Sequence, residues 1–225
     1  MNIFRPGLIQ VAGIHSVEEG RMVLDRGVHL LGFPLRLPVH AEDVSEDRAR
    51  EIIGVLGPSR CVVITYEDDP RRLKDLCRFL NVRTAQVHSP VSPDVLARMK
   101  AGGLALIKSY VVGRDSLPPE EFVRAYAPFC DAFITDTFDP ASGASGATGR
   151  VHDWAVSAEL VRCSPLPVLL AGGLRPENVR AAVAAVAPAG VDVHTGVEDA
   201  SGAKDSGLVA AFVREARAGF AGLAP

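Results

Sequence analysis

The sequence predicts a parallel (β/α)8 barrel, and three observations carry that expectation. Short apolar runs of strand type alternate with amphipathic segments along the whole chain. Most strand starts recur at roughly 20–30 residues, the spacing of successive βα units. Eight such units follow one another without a linker, and 225 residues fall within the range of one barrel domain. Residues 1–225 are therefore read as a single TIM barrel. A doubly wound sheet would need more chain reversal than this even spacing suggests.

Residues 8–12 form the first strand, and Ser16 and Glu19 open the next helix as N-cap and capping-box partner. Residues 28–33 are the second strand, and 45–56 a helix with one apolar face. The third unit pairs strand 61–65 with helix 69–80, the fourth 84–88 with 93–100, and the fifth 104–108 with 119–126. Strand six covers 131–136, and a long loop, 137–152, precedes the helix 153–162. Strand seven, 167–170, leads to a helix over 176–186 with Pro176 at its first position. Strand eight, 191–193, and a helix over 206–218 close the series.

The chain is 48% hydrophobic and 23% charged, the make-up of a globular protein with a large core. A net charge of −3, with basic residues spread along the chain, argues against a general nucleic-acid binder. No apolar run is long enough to span a bilayer and no signal peptide is read, so no membrane partner and a cytoplasmic location are expected. Cys61, Cys77, Cys130 and Cys163 show no metal-ligand spacing and are read as reduced, buried and inert.

In a barrel, chemistry collects at the carboxyl ends of the strands. His15 lies just beyond strand one, His88 ends strand four, Lys108 strand five and Asp136 strand six; Asp192 lies in strand eight and His194 ends it. Asp136 follows the apolar Phe133-Ile134 and suits a general acid, because burial raises a carboxyl pKa. Capping of the following loop is its structural alternative. Gly172-Gly173 and Thr195-Gly196 sit after strands seven and eight, where amides without obstructing side chains can cradle a phosphate. The stretch 141–149, rich in glycine and small polar residues, is read as a lid or substrate-contacting loop.

These residues resemble the phosphoribosylanthranilate isomerase family of tryptophan biosynthesis, in motif order and over most of the chain. Gln86-Val-His88 is similar to the family's Gln-Leu-His, and Ile134-Thr-Asp-Thr137 to its Leu-Asp-Thr. Gly146-Ala-Thr-Gly149 with His152-Asp-Trp154 resembles Gly-Gly-Ser/Thr-Gly with Phe-Asp-Trp. Leu170–Val179 and Val191–Glu198, with Lys204-Asp205, complete the match. The resemblance implies a TIM barrel that opens a phosphoribosyl-amine by Amadori rearrangement. Asp136 matches the family's general acid, and Gly172, Gly173, Thr195 and Gly196 its phosphate loops. Gly149, His88 and Asp192 are taken as further substrate contacts. It implies no metal or organic cofactor. The expected partner is a small phosphorylated substrate, bound by a monomer or homodimer.

The departures bear on the reaction. The family's strand-one Lys-Ile-Cys-Gly is Gln10-Val-Ala-Gly13, so Ala12 stands in place of the cysteine base. A methyl group takes no proton, and loss of a general base forfeits about 10²–10⁴-fold in rate. Glu42 aligns with the arginine that meets the anthranilate carboxylate, although a different threading lets Arg36 compensate. His194 replaces the first serine of the strand-eight loop. The expectation is an isomerase-like enzyme with Asp136 as acid, His15 or His194 as substitute base, and a substrate changed from phosphoribosylanthranilate. The alternatives are a genuine phosphoribosylanthranilate isomerase with another base and a non-catalytic phosphosugar binder.

Overall fold

Polar caps punctuate the chain before most of its helices. Ser16, Ser45, Asp69, Ser92, Asp153 and Asp205 each accept a hydrogen bond from the first turn of the helix that follows, which fixes where those helices start. In the computed structural model, which describes residues 4–38, 42–139, 144–145 and 152–223, they fall between the strands of a closed barrel. The barrel strands are β1 (Leu8–Ala12), β2 (Leu30–Pro34), β3 (Cys61–Thr65), β4 (Thr84–Val87), β5 (Ala105–Val112), β6 (Ala132–Asp139), β7 (Val168–Leu170) and β8 (Gly190–Val193). The helices are α1 (Val17–Asp25), α2 (Glu46–Leu56), α3 (Pro70–Phe79), α4 (Pro93–Lys100), α5 (Pro119–Tyr126), α6 (Trp154–Cys163), α7 (Val179–Val186) and α8 (Ser206–Ala221). All barrel neighbours run parallel; β1 pairs with both β2 and β8, and the β5–β6 pairing completes the circle. The expected (β/α)8 TIM barrel is the fold.

Strand side chains alternate, so one set fills the barrel and the other meets the helices. Leu8, Ala12, Leu30, Ile64, Ile134 and Leu169 belong to the inner buried cluster, and the larger cluster lies beneath the helices. Gln10, Gln86, Asp136 and Asp192 share the inward parity of that set and are buried. The polar floor of the mouth is therefore a consequence of period two.

The same parity corrects one expectation. Lys108 follows the inward Ile107 and so points outward, among the rings of Phe122 and Tyr126. Its ammonium donates to the carbonyls of Val87, Ser89 and Ser109, and burial pulls its pKa down to about 8. It braces the wall and is no part of the mouth.

Other boundaries differ locally. β2 begins at Leu30, and β6 continues to Asp139, where Ala144–Ser145 pairs antiparallel with it. α7 begins at Val179 and not at Pro176. The Asn178 carboxamide accepts from the Arg175 N–H at 2.9 Å and donates to the Gly173 carbonyl at 2.9 Å, which holds residues 175–178 as a turn against the glycine loop. Glu19 does not close a capping box on Ser16; its carboxylate accepts from the N–H groups of His15 and Lys204. Cys61, Cys77 and Cys130 are free and buried, their thiols pushed up to about 12 by burial, but Cys163 is only partly buried. No helix among the described residues is long and apolar enough to cross a membrane.

Candidate active site

At the carboxyl ends of β6, β7 and β8 the barrel opens into a cavity lined by Asp136 and the runs 171–174 and 192–196. The two loops after β7 and β8 touch through main chain. A Cβ added to Gly196 would lie 1.9 Å from the Leu174 carbonyl oxygen, so only glycine permits this approach.

Asp136 enters from within β6, which continues beyond it to Asp139. It is 6% exposed, and its Oδ1 accepts the Thr137 N–H at 2.8 Å. Burial raises its pKa to about 7 and the Asp192 charge adds to the rise, opposed by the Thr137 N–H and Arg114. Asp192, on β8 and 7% exposed, is raised to about 7 by burial, against the Gln10 amide and the Lys204 charge. Two carboxyl groups that exchange protons near neutrality thus line one cavity.

A chain of amides crosses the barrel between them. Gln10 is the register partner of Asp192, and its Nε2 donates to Gln86 Oε1 at 3.0 Å. Gln86 Nε2 lies 2.8 Å from His88 Nε2, so it donates there and leaves the proton of the neutral ring on Nδ1. That Nδ1 is 4.0 Å from Asp136 Oδ2. His88 therefore faces the carboxylate without bonding it directly.

His194 lines the cavity, and His15 lies outside the lining. His194 Nε2 is 3.3 Å from Glu198 Oε1 and 3.6 Å from Asp43 Oδ2, and His15 Nε2 is 3.7 Å from Asp43 Oδ1. Lys204 completes the group by donating to Glu198 at 2.5 Å and to the His194 carbonyl at 3.4 Å. Asp43 is missing from the sequence reading because it lies in a loop with no periodic pattern. Arg114 is missing as well, and His152 enters there only within the His152-Asp-Trp154 motif, with no role of its own. His152 bonds Thr137 Oγ1 at 2.9 Å and Ser157 Oγ at 2.6 Å, and burial lowers its pKa to about 4, so it is a neutral brace behind Asp136.

Ala12 is buried in the inner cluster. Glu42 is exposed and accepts the Arg36 backbone N–H at 2.5 Å. The Arg36 side chain is held by Glu46 at 2.7 Å and Glu67 at 3.1 Å and is absent from the cavity lining. Gly149, and the 141–149 loop apart from Ala144–Ser145, lie outside the described residues.

Fold and cavity together define a class: a (β/α)8 barrel whose mouth sets carboxyl groups against glycine loops suited to an anion. Residues 10–215 match the family model of N-(5'-phosphoribosyl)anthranilate isomerase. The chain is 33% identical over 214 residues to N-(5'-phosphoribosyl)anthranilate isomerase of Methanopyrus kandleri, covering 92% of this chain and 96% of that one. It is 37% identical over 208 residues to that of Natronomonas pharaonis, covering 91% and 95%. The structure of N-(5'-phosphoribosyl)anthranilate isomerase from Pyrococcus furiosus superposes with a TM-score of 0.75 at 28% identity, over 94% of this chain and 99% of that one. The chain belongs to the N-(5'-phosphoribosyl)anthranilate isomerase family.

Both raised carboxyls carry a stability consequence. An unfolded aspartate titrates near 3.9, whereas these groups titrate near 7 when folded. The folded state holds the extra protons, so stability falls as pH rises from about 4 to 7, and the full penalty remains above that. Asp136→Asn and Asp192→Asn are each expected to raise Tm at pH 8 by about 2–8 °C, one to two kcal/mol in a chain of this size. Little change is expected at pH 4, and melts at both pH values check it.

Proposed function

We propose that this chain isomerises an N-(5'-phosphoribosyl)amine by an Amadori-type rearrangement, with Asp136 as general acid and the phosphate on the loops after β7 and β8. The observation that carries the reading is that Asp136 and the glycines of both loops line one cavity. The raised pKa keeps a proton on Asp136 near neutrality, ready for the furanose ring oxygen. As C1–O4 breaks, its electron pair goes to oxygen, and the nitrogen lone pair forms the C1=N bond. The loop amides hold the far end of the sugar and fix the ring over the acid.

We further propose that the amine is not anthranilate. Glu42 occupies the aligned position of the carboxylate-binding arginine, and Arg36 is engaged by Glu46 and Glu67. A carboxylate at that rim repels an anionic aglycone. The test is turnover across a panel of phosphoribosyl-arylamines with and without a carboxylate. Faster conversion of an uncharged member than of phosphoribosylanthranilate is expected. Conversion of phosphoribosylanthranilate at ordinary enzymatic rates would restore the unchanged substrate, and phosphosugar binding with no conversion anywhere would make the barrel a binder.

A further inference from the structure

We infer that Asp192 has taken over the proton-accepting role left open at Ala12, removing the C2 proton of the ring-opened substrate. The inference rests on the isomerase reading above. Four observations converge on this residue. Asp192 lines the same cavity as Asp136 and the two anion loops. Its Oδ1 is buried with no hydrogen-bond partner among the described residues, an arrangement with a large desolvation cost unless a ligand meets it. Its register partner on β1 is Gln10, two positions before Ala12 on the same inward face, so its carboxyl lies one layer from the emptied position. Finally, Gln10 is a neutral amide where the family pattern has lysine, so the residue in register with Asp192 carries no charge.

The histidines fit the role less well. Extending the β1–β8 register by one pair sets His194 beside Ala12. A Cβ on Gly13 would lie 2.1 Å from His194 Nε2, so that nitrogen overhangs the end of β1. It is the same nitrogen that faces Glu198 and Asp43, so the nitrogen that overhangs the end of β1 is committed to carboxylates. His15 lies outside the cavity lining, against Asp43.

The step balances without a co-reactant. After ring opening, the Asp192 carboxylate accepts the C2 proton, the C2–H electron pair becomes the C1=C2 bond, and the C1=N electrons return to nitrogen. The resulting enaminol gains a proton at C1 and loses one from its C2 hydroxyl, which gives the 1-amino-1-deoxyketose. Asp136 and Asp192 then play opposite parts: one must start protonated and the other ionised. Groups facing Asp192 that bias this division are Asp136, Gln10 and Lys204.

The test uses whichever phosphoribosyl-arylamine of the panel is turned over, with hydrogen or deuterium at C2. Asp192→Asn is expected to lower kcat by about 10²–10⁴-fold, with KM changed less than threefold and a larger primary isotope effect at C2. Adding Ala12→Cys to Asp192→Asn is expected to recover at least about tenfold, because it returns a proton acceptor to the original position. A merely structural Asp192 would not give that recovery. Retention of kcat within threefold in Asp192→Asn, or a loss confined to KM, overturns the assignment while leaving the isomerase reading in place. No turnover of any amine by the unsubstituted chain overturns both.

Discussion

Asp136→Asn is expected to lower kcat by about 10²–10⁴-fold while leaving KM within a few-fold. Asparagine keeps the size of the side chain and can still accept the Thr137 N–H, so that contact within β6 is kept. It cannot deliver a proton to the ring oxygen. The wild-type profile should fall as pH rises through about 7, where the buried carboxyl loses its proton, and this limb should vanish in the variant. Steady-state kinetics from pH 5 to 9 measure both. A variant with full activity would remove Asp136 from the reaction, whereas an inactive variant that still binds phosphosugar would separate chemistry from binding.

The second large effect is expected at Gly196. A methyl group there must displace the Leu174 carbonyl from 1.9 Å, and both partners are main chain with no rotamer to yield. Gly196→Ala should therefore separate the β7 and β8 loops. About 1–3 kcal/mol of overpacking corresponds to a fall in Tm of roughly 2–12 °C. Because the loops carry the anion end of the site in the proposed function, KM should rise at least about tenfold with a smaller change in kcat. Thermal melts with and without inorganic phosphate give an independent check: phosphate should protect the wild type more than the variant. Equal protection would place the anion elsewhere.

The fold was legible because its signals are local and repeated. Caps such as Ser16, Ser45 and Asp153 mark helix starts through bonds to the next turn, and eight strand-like runs recur at even spacing. Asp136 and the glycine loops could be placed for the same reason, since strand ends locate them without knowledge of long-range contacts. Lys108 departs from the rim expected of it because a one-residue change in parity sends a side chain to the opposite side of the wall. Pro176 does not open α7 because the Asn178 carboxamide, in contact with Gly173, delays the helix. Asp43, Arg114 and His152 gave no periodic signal. Their parts come from contacts with residues distant in sequence, such as His194 for Asp43 and Thr137 for His152.

The contact between Gly196 and the Leu174 carbonyl has a historical consequence. A handle built from peptide groups does not depend on the side chains around it, provided that its glycines are kept. The opposite rim is built from side chains, and each substitution there can change what the barrel accepts. If the loops hold the phosphate as proposed, a gene copy of such a protein can change its aglycone or its proton acceptor without first losing that anchor. On the proposed function, the anion end of this site rests on main chain and the aglycone end on side chains.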